Sequence, residues 1–205
     1  FIILCVSTVL FMASFGMIMP ELPGYLDLMG AGHLLGYIIG LFTLGALLSR
    51  FFSGKIADRA GRKIVMVFGT GVTAIAGFLY VLLGAVPDYS TGMLGVWLFL
   101  ALRFFHGLST GFRPIGSSAL LTDIVPQNRR GEALGFLGVA GNAGMAGGPA
   151  IGSYLAVEWG YDAMFLASSF LGILSLLFTL KLPETLPNSR KVIWSDLNVF
   201  KGKNF

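Results

Sequence analysis

Three side chains able to do chemistry interrupt one long apolar run. Arg103, His106 and Arg113 stand between residues 93 and 125, among Phe, Leu, Gly and Ser. If that run crosses a bilayer, Arg103 lies about ten residues from its start, near mid-membrane at ~1.5 Å per residue. A cation there costs roughly 2.5–3.5 kcal/mol on insertion scales, so it must face a polar cavity, a partner or helix-end carbonyls. His106 follows three residues later, on nearly the same helix face. Arg113 precedes Pro114, and its position fits equally a second cavity cation and a residue near the cytoplasmic mouth. No acid lies centrally in any apolar run. Glu21, in Pro20-Glu21-Leu22-Pro23, is the carboxylate best placed to carry a proton, and it reads equally well as a solvated loop acid.

These residues do not form an enzyme constellation. The sequence holds no phosphate loop ending in Lys-Ser/Thr, no His-Glu-x-x-His and no cysteine pair. Gly107-Leu108-Ser109-Thr110-Gly111 is not a nucleophile elbow, because it sits inside a membrane-type run. The single cysteine, Cys5, offers neither a disulfide framework nor a metal cluster. No catalytic activity, cofactor or metal is therefore expected.

The elements that must position these side chains are membrane helices. The chain has 205 residues, 55% hydrophobic, with a mean hydropathy of +0.80. Its 12% charged residues are half of the ~25% usual in soluble domains. Twenty-nine glycines suit membrane helices, where Gly is frequent. Uncharged runs of about 18 residues or more recur, each long enough to span. The predicted spans are residues 1–20, 34–50, 64–86, 93–125, 132–157 and 163–182. Pro20 and Pro23 kink or end the first, and residues 24–33 are predicted as a turn region. Pro87 closes the third span and Pro183 the sixth.

Six spans put both ends of the segment on one side, and the charges test this. With the ends cytoplasmic, the inside segments hold twelve of the fourteen cations, and the other two are Arg103 and Arg113. The outside loops hold no Lys or Arg and carry Glu21, Asp27, Asp88, Glu158 and Asp162. Such asymmetry is the positive-inside pattern, and it removes the case for a nucleic-acid-binding basic patch. The segment 192–200, flanked by Arg190, Lys191 and Lys201, reads equally as a short interfacial helix and as a linker. The start at Phe1, with no Met and no basic n-region, is not a readable signal peptide, so the natural N-terminus is expected upstream.

Two further stretches stand out. Residues 54–63 combine Lys55, Arg59, Arg62, Lys63 and Asp58 with Gly54 and Gly61, and are predicted as a charged loop with a tight reversal. In the fifth span Gly135, Gly138, Gly141, Gly144 and Gly147 recur every three residues, while Gly144, Gly148 and Gly152 recur every four. Small residues let helix backbones approach closely where lipid gives no hydrophobic drive. Pro149 among them favours a bend.

Four of these segments together resemble the major facilitator superfamily. Gly54, Asp58, Arg59, Gly61, Arg62 and Lys63 match its loop between helices 2 and 3. Arg103-Phe104-Phe105-His106-Gly107 is similar to its helix-4 pattern, with His where Gln is usual. Gly144, Gly148, Pro149 and Gly152 are similar to the helix-5 pattern of proton-coupled antiporters, with Ser153 where that pattern has its last Gly. Residues 16–23 resemble the helix-1 end of twelve-helix drug:proton antiporters, and Leu182-Pro183-Glu184-Thr185 matches a frequent end of helix 6.

The resemblance implies an all-α membrane fold: residues 1–182 as six transmembrane helices in two inverted three-helix repeats, half of a twelve-helix transporter. Residues 183–205 would begin the central cytoplasmic loop, and a second six-helix half would be the partner. It implies that Arg62 bridges Asp58 and Asp123 as a latch on the outward-open state. It also implies that helices 1 and 4 line a cavity, placing Arg103, Ser7, Phe11 and Ser14 there. The expected function is proton-coupled export of small amphipathic compounds across a bacterial inner membrane. An importer of a small organic anion and a non-transporting receptor or scaffold are the alternatives. The last expects no polar residue aimed at a cavity.

Overall fold

A computed structural model describes residues 1–84 and 93–186. The helices are α1 (Ile2–Ile18), α2 (Leu22–Leu28), α3 (Leu35–Arg59), α4 (Arg62–Gly84), α5 (Met93–Ile124), α6 (Arg130–Trp159) and α7 (Tyr161–Leu180). Single 3-10 turns precede α3 and α6, at Gly32–Leu34 and Gln127–Arg129. In lipid every backbone polar group must be satisfied within the segment, which makes helices the available solution. Serine and threonine hydroxyls join in by bonding back one turn, as Thr70 does to the Met66 carbonyl at 2.8 Å.

The interior combines apolar clusters with buried polar groups, and the exterior is apolar. Ser7, Ser14, Thr73, Arg103, His106 and Arg113 are buried, whereas Ile39, Phe51, Trp97, Phe136 and Val157 are exposed. An apolar exterior of this kind fits helices whose outer solvent is lipid. Five helical stretches are long and apolar enough to span: Ile2–Leu28, Gly32–Arg59, Arg62–Gly84, Leu94–Ile124 and Tyr161–Leu180. The sixth helix, α6, is also long enough at about 45 Å, but eight glycines in its 30 residues dilute its apolar character. The chain is therefore a multi-pass membrane protein.

The packing repeats itself. α1 packs on α6 and α7, α5 packs on α3 and α4, and α4 packs on α7. Exchanging α1 with α5, α3 with α6 and α4 with α7 maps this pattern onto itself. Two units of three spans are thus related by an axis in the membrane plane, since an odd number of crossings inverts the second unit.

Several boundaries differ from the predicted ones. The turn region placed at residues 24–33 is shorter, because α2 occupies Leu22–Leu28 with Pro23 in its first turn, where a missing N–H costs nothing. The charged loop of residues 54–63 is mostly helix: α3 runs to Arg59 and α4 starts at Arg62. The reversal is confined to Ala60 and Gly61, and Gly61 takes φ 130°, a conformation open to glycine. A helix has no reason to stop at the lipid boundary when its next turns carry Lys55, Asp58 and Arg59 into water. The 192–200 segment, Asp88 and the Pro87 stop lie outside the described residues.

Candidate functional site

Arg103 and Arg113 project from one helix in different directions. Ten residues separate them by about 15 Å along the axis and about 80° around it. Arg103 therefore turns toward α3 and α4, and Arg113 toward α1.

Arg103 is fully buried. Its guanidinium lies 4.6 Å from the Phe42 ring centroid, with Nη2 3.2 Å from the Met19 sulfur and Nη1 3.4 Å from His106 Nδ1. Tyr80 Oη is 3.5 Å from the same nitrogen. Arginine only donates, so Nδ1 presents its lone pair and a neutral His106 carries its proton on Nε2. That Nε2, like Arg103 Nε, has no partner.

Arg113 is also buried, 1% exposed. Nη2 donates to Ser7 Oγ at 2.8 Å and reaches Thr8 Oγ1 at 3.5 Å, while the group stands 5.5 Å from the Phe11 ring centroid. Among the described residues its Nε and Nη1 have no partner. Among the described residues the ion pairs are Arg62–Asp58, Arg62–Asp123 and Arg129–Glu132, so neither buried arginine has a carboxylate.

Arg113 and Phe11 border a cavity of about 380 Å³ between α1, α5 and α6, with Thr8, Ser117, Asn142 and Met145 among its walls. Arg103 and His106 are not in its lining. Of the four residues that the resemblance put at a cavity, Phe11 lines this one, and Arg103, Ser7 and Ser14 do not. Ser14 is buried between α1 and α7, where it donates to the Ser168 carbonyl and Ser168 donates back to its own, both at 2.8 Å. Ser7 is fully buried beneath Arg113, with the Ser175 hydroxyl on its carbonyl at 2.7 Å. On α1 the Ser7 and Ser14 hydroxyls meet Arg113 and Ser168, and Phe11, within a turn of each on the same side of the helix, lines the cavity. Glu21 stands apart at the other end of the half and accepts a hydrogen bond from Ser153, the residue that departs from the helix-5 glycine pattern.

The glycine series resolves into one working face. A Cβ on Gly148 would come within 2.6 Å of the Ala13 carbonyl, and Gly144 and Gly152 press on the Val9 and Met17 carbonyls. Gly135, Gly138 and Gly147, on the three-residue spacing, have nothing within 4 Å. Pro149 sits inside an unbroken α6, its Cδ against Gly16.

At the α3–α4 reversal Arg62 Nη1 meets Asp58 Oδ1 at 2.8 Å and Nε meets Asp123 Oδ2 at 3.2 Å. Arg59 is half-buried and Gly54 helical. Sequence reasoning missed two residues here. Thr185 Oγ1 donates to Asp123 at 2.7 Å, and Glu184 accepts the N–H groups of Arg62 and Lys63 at 3.0 and 3.1 Å. It also missed Tyr80, Ser117 and Asn142; the lone Asn in a run of Gly and Ala was a usable signal.

Comparison with known proteins agrees with this architecture. Residues 4–199 match the family described as Major Facilitator Superfamily. The multidrug resistance protein MdtG of Klebsiella pneumoniae (strain 342) is 31% identical over 199 residues, covering 93% of this chain and 45% of that protein. MdtG of Serratia proteamaculans (strain 568) is 35% identical over 176 residues, covering 83% and 40%. The chain thus spans less than half the length of these curated relatives. Among solved structures, a D-xylose-proton symporter superposes with TM-score 0.76 at 19% identity, covering 90% of this chain and 48% of that one. The human organic anion transporter MFSD10 gives 0.73 at 22%, covering 92% and 48%. At such identities the two structures speak for the fold. Helix order, inverted packing and family match together place the chain in the major facilitator superfamily, as one six-helix half of that fold.

Proposed function

We propose that this chain is the N-terminal half of a proton-coupled exporter of small amphipathic compounds, working by alternating access with a second six-helix half. The observation that carries the reading is the identity of 31–35% to relatives named multidrug resistance proteins over most of this chain. The cavity beside α1, α5 and α6 is the substrate side, and no covalent chemistry is involved. The Asp58–Arg62–Asp123 pairs latch one conformation at the cytoplasmic face, and the Arg103–His106–Tyr80 cluster tunes proton coupling. Both ends of the segment face the cytoplasm of a bacterial inner membrane, as its cation distribution supports.

Expression of the full-length transporter in an efflux-deficient bacterium tests this. Cells should retain less of a lipophilic fluorescent dye than cells with the empty vector, and dissipating the proton gradient should abolish the difference. Equal retention in both strains contradicts the reading.

A further inference from the structure

Arg113 is a cation that the described residues do not neutralise. It is 1% exposed and has no ion pair among the described residues. One nitrogen is tied to Ser7 and Thr8, which fixes the side chain's orientation, and the other two have no hydrogen-bond partner. A buried N–H without an acceptor forfeits a hydrogen bond, and a charged one forfeits more. Such a group is kept where something else meets it, and Arg113 borders a cavity of about 380 Å³. That volume suits a small organic molecule.

The walls say which kind. Phe11, Met12, Leu137 and Met145 give apolar surface, and thioethers adapt to varied shapes. Thr8 and Asn142 add neutral polar groups. Among the described residues Arg113 is the one charged side chain in the lining. We propose that Arg113 is an anion-recognition residue, and that this cavity takes amphipathic organic carboxylates whose oxyanion meets its guanidinium. The Phe11 ring, its centroid 5.5 Å from the guanidinium, lines the same cavity and gives the ligand's apolar part a surface next to the charge. This deepens the transport reading and rests on it for the statement that the ligand is cargo.

The test measures binding, so it fails or succeeds apart from transport. Dansylglycine and its uncharged amide are titrated into the full-length transporter in phosphatidylcholine nanodiscs. The wild type should bind the acid at least about tenfold more tightly than the amide, the scale of one charge-assisted hydrogen bond. Arg113→Gln should erase the preference, whereas Arg129→Gln, which removes a surface arginine, should keep it. Arg113→Lys, the variant more apt to fold, should keep the preference with weaker binding, because the charge stays and the planar fork is lost. Equal affinity for acid and amide in the wild type overturns the proposal without any variant. So does an unchanged preference in Arg113→Gln, or unweakened acid binding in Arg113→Lys. Displacement of dansylglycine by phosphatidylglycerol added to the discs would assign the site to a lipid headgroup and overturn it as a cargo site. Acid-selective binding in a protein that exports nothing would leave the site standing and sink only the transport reading.

Discussion

The Glu184 carboxylate accepts the backbone N–H of Arg62 at 3.0 Å, tying the segment after the last helix to the first turn of the third span. Its second oxygen takes the N–H of Lys63 at 3.1 Å. Those amides begin α4 and have no partner within the helix. A carboxylate at that end also meets the positive pole of the helix dipole. The contact therefore locks the two three-helix repeats together next to the Arg62–Asp58 and Arg62–Asp123 pairs.

Removing this cap should have a graded cost. Glu184→Ala is expected to destabilise the folded transporter by about 1–2 kcal/mol, the range of a lost helix N-cap. Glu184→Gln, which keeps an acceptor and loses the charge, should cost less. Thermal unfolding in detergent reads the order. Equal stability of all three proteins would mean that water replaces the carboxylate without loss.

Adjacent glycines on α6 should behave oppositely. Gly148→Ala puts a Cβ 2.6 Å from the Ala13 carbonyl, so α1 and α6 must separate, at about 1–3 kcal/mol for overpacking. Gly147→Ala meets nothing within 4 Å and should be neutral or stabilising, since Ala is the better helix former. Melting temperatures of the two variants check the contrast, and a Gly147→Ala penalty as large as that of Gly148→Ala would contradict it.

The Arg103 cluster distinguishes coupling from packing. Arg103→Lys keeps a charge beside His106 and should retain partial transport with a shifted pH profile. Arg103→Ala should insert into the membrane and lose most transport. If Arg103→Ala transports like the wild type at every pH, the cluster only packs α3, α4 and α5 together.

Topology can be read directly. Cysteines in place of Asp88 and Glu158 should react with an impermeant thiol reagent added to intact cells, in a background where Cys5 is replaced by Ser. A cysteine at Lys55 should react only after the cells are opened. The reverse pattern would invert the assigned orientation.

What the sequence reveals about this protein follows from which interactions are local. The number of spans and the gap between Arg62 and Asp58 rest on composition and short spacing, which sequence displays. Which face each residue takes rests on long-range packing. Arg103 and Arg113 look alike as lone cations in one helix, and the 80° or so between them decides that one meets Phe42 and the other the cavity. The bonds that Ser7 and Ser14 make with Ser175 and Ser168 of α7 join residues far apart in sequence, which spacing does not display. Glu184 read as a helix stop, because its partners lie 121 and 122 residues earlier. The five-membered glycine series on three-residue spacing outnumbered the three on four-residue spacing, yet the latter make the contact, since an i, i+4 row runs along one helix ridge.

The proposed export is proton-driven. Proteoliposomes holding the purified full-length transporter, loaded at one pH and diluted into another, measure it most directly. An outward proton gradient, with the lumen acidic, imposed across the cytoplasm-out population should drive uphill uptake of a lipophilic dye into the lumen as protons leave, and an Asp58→Asn transporter should take it up far more slowly. Dye that only equilibrates, with a rate indifferent to the pH gradient, would contradict the account.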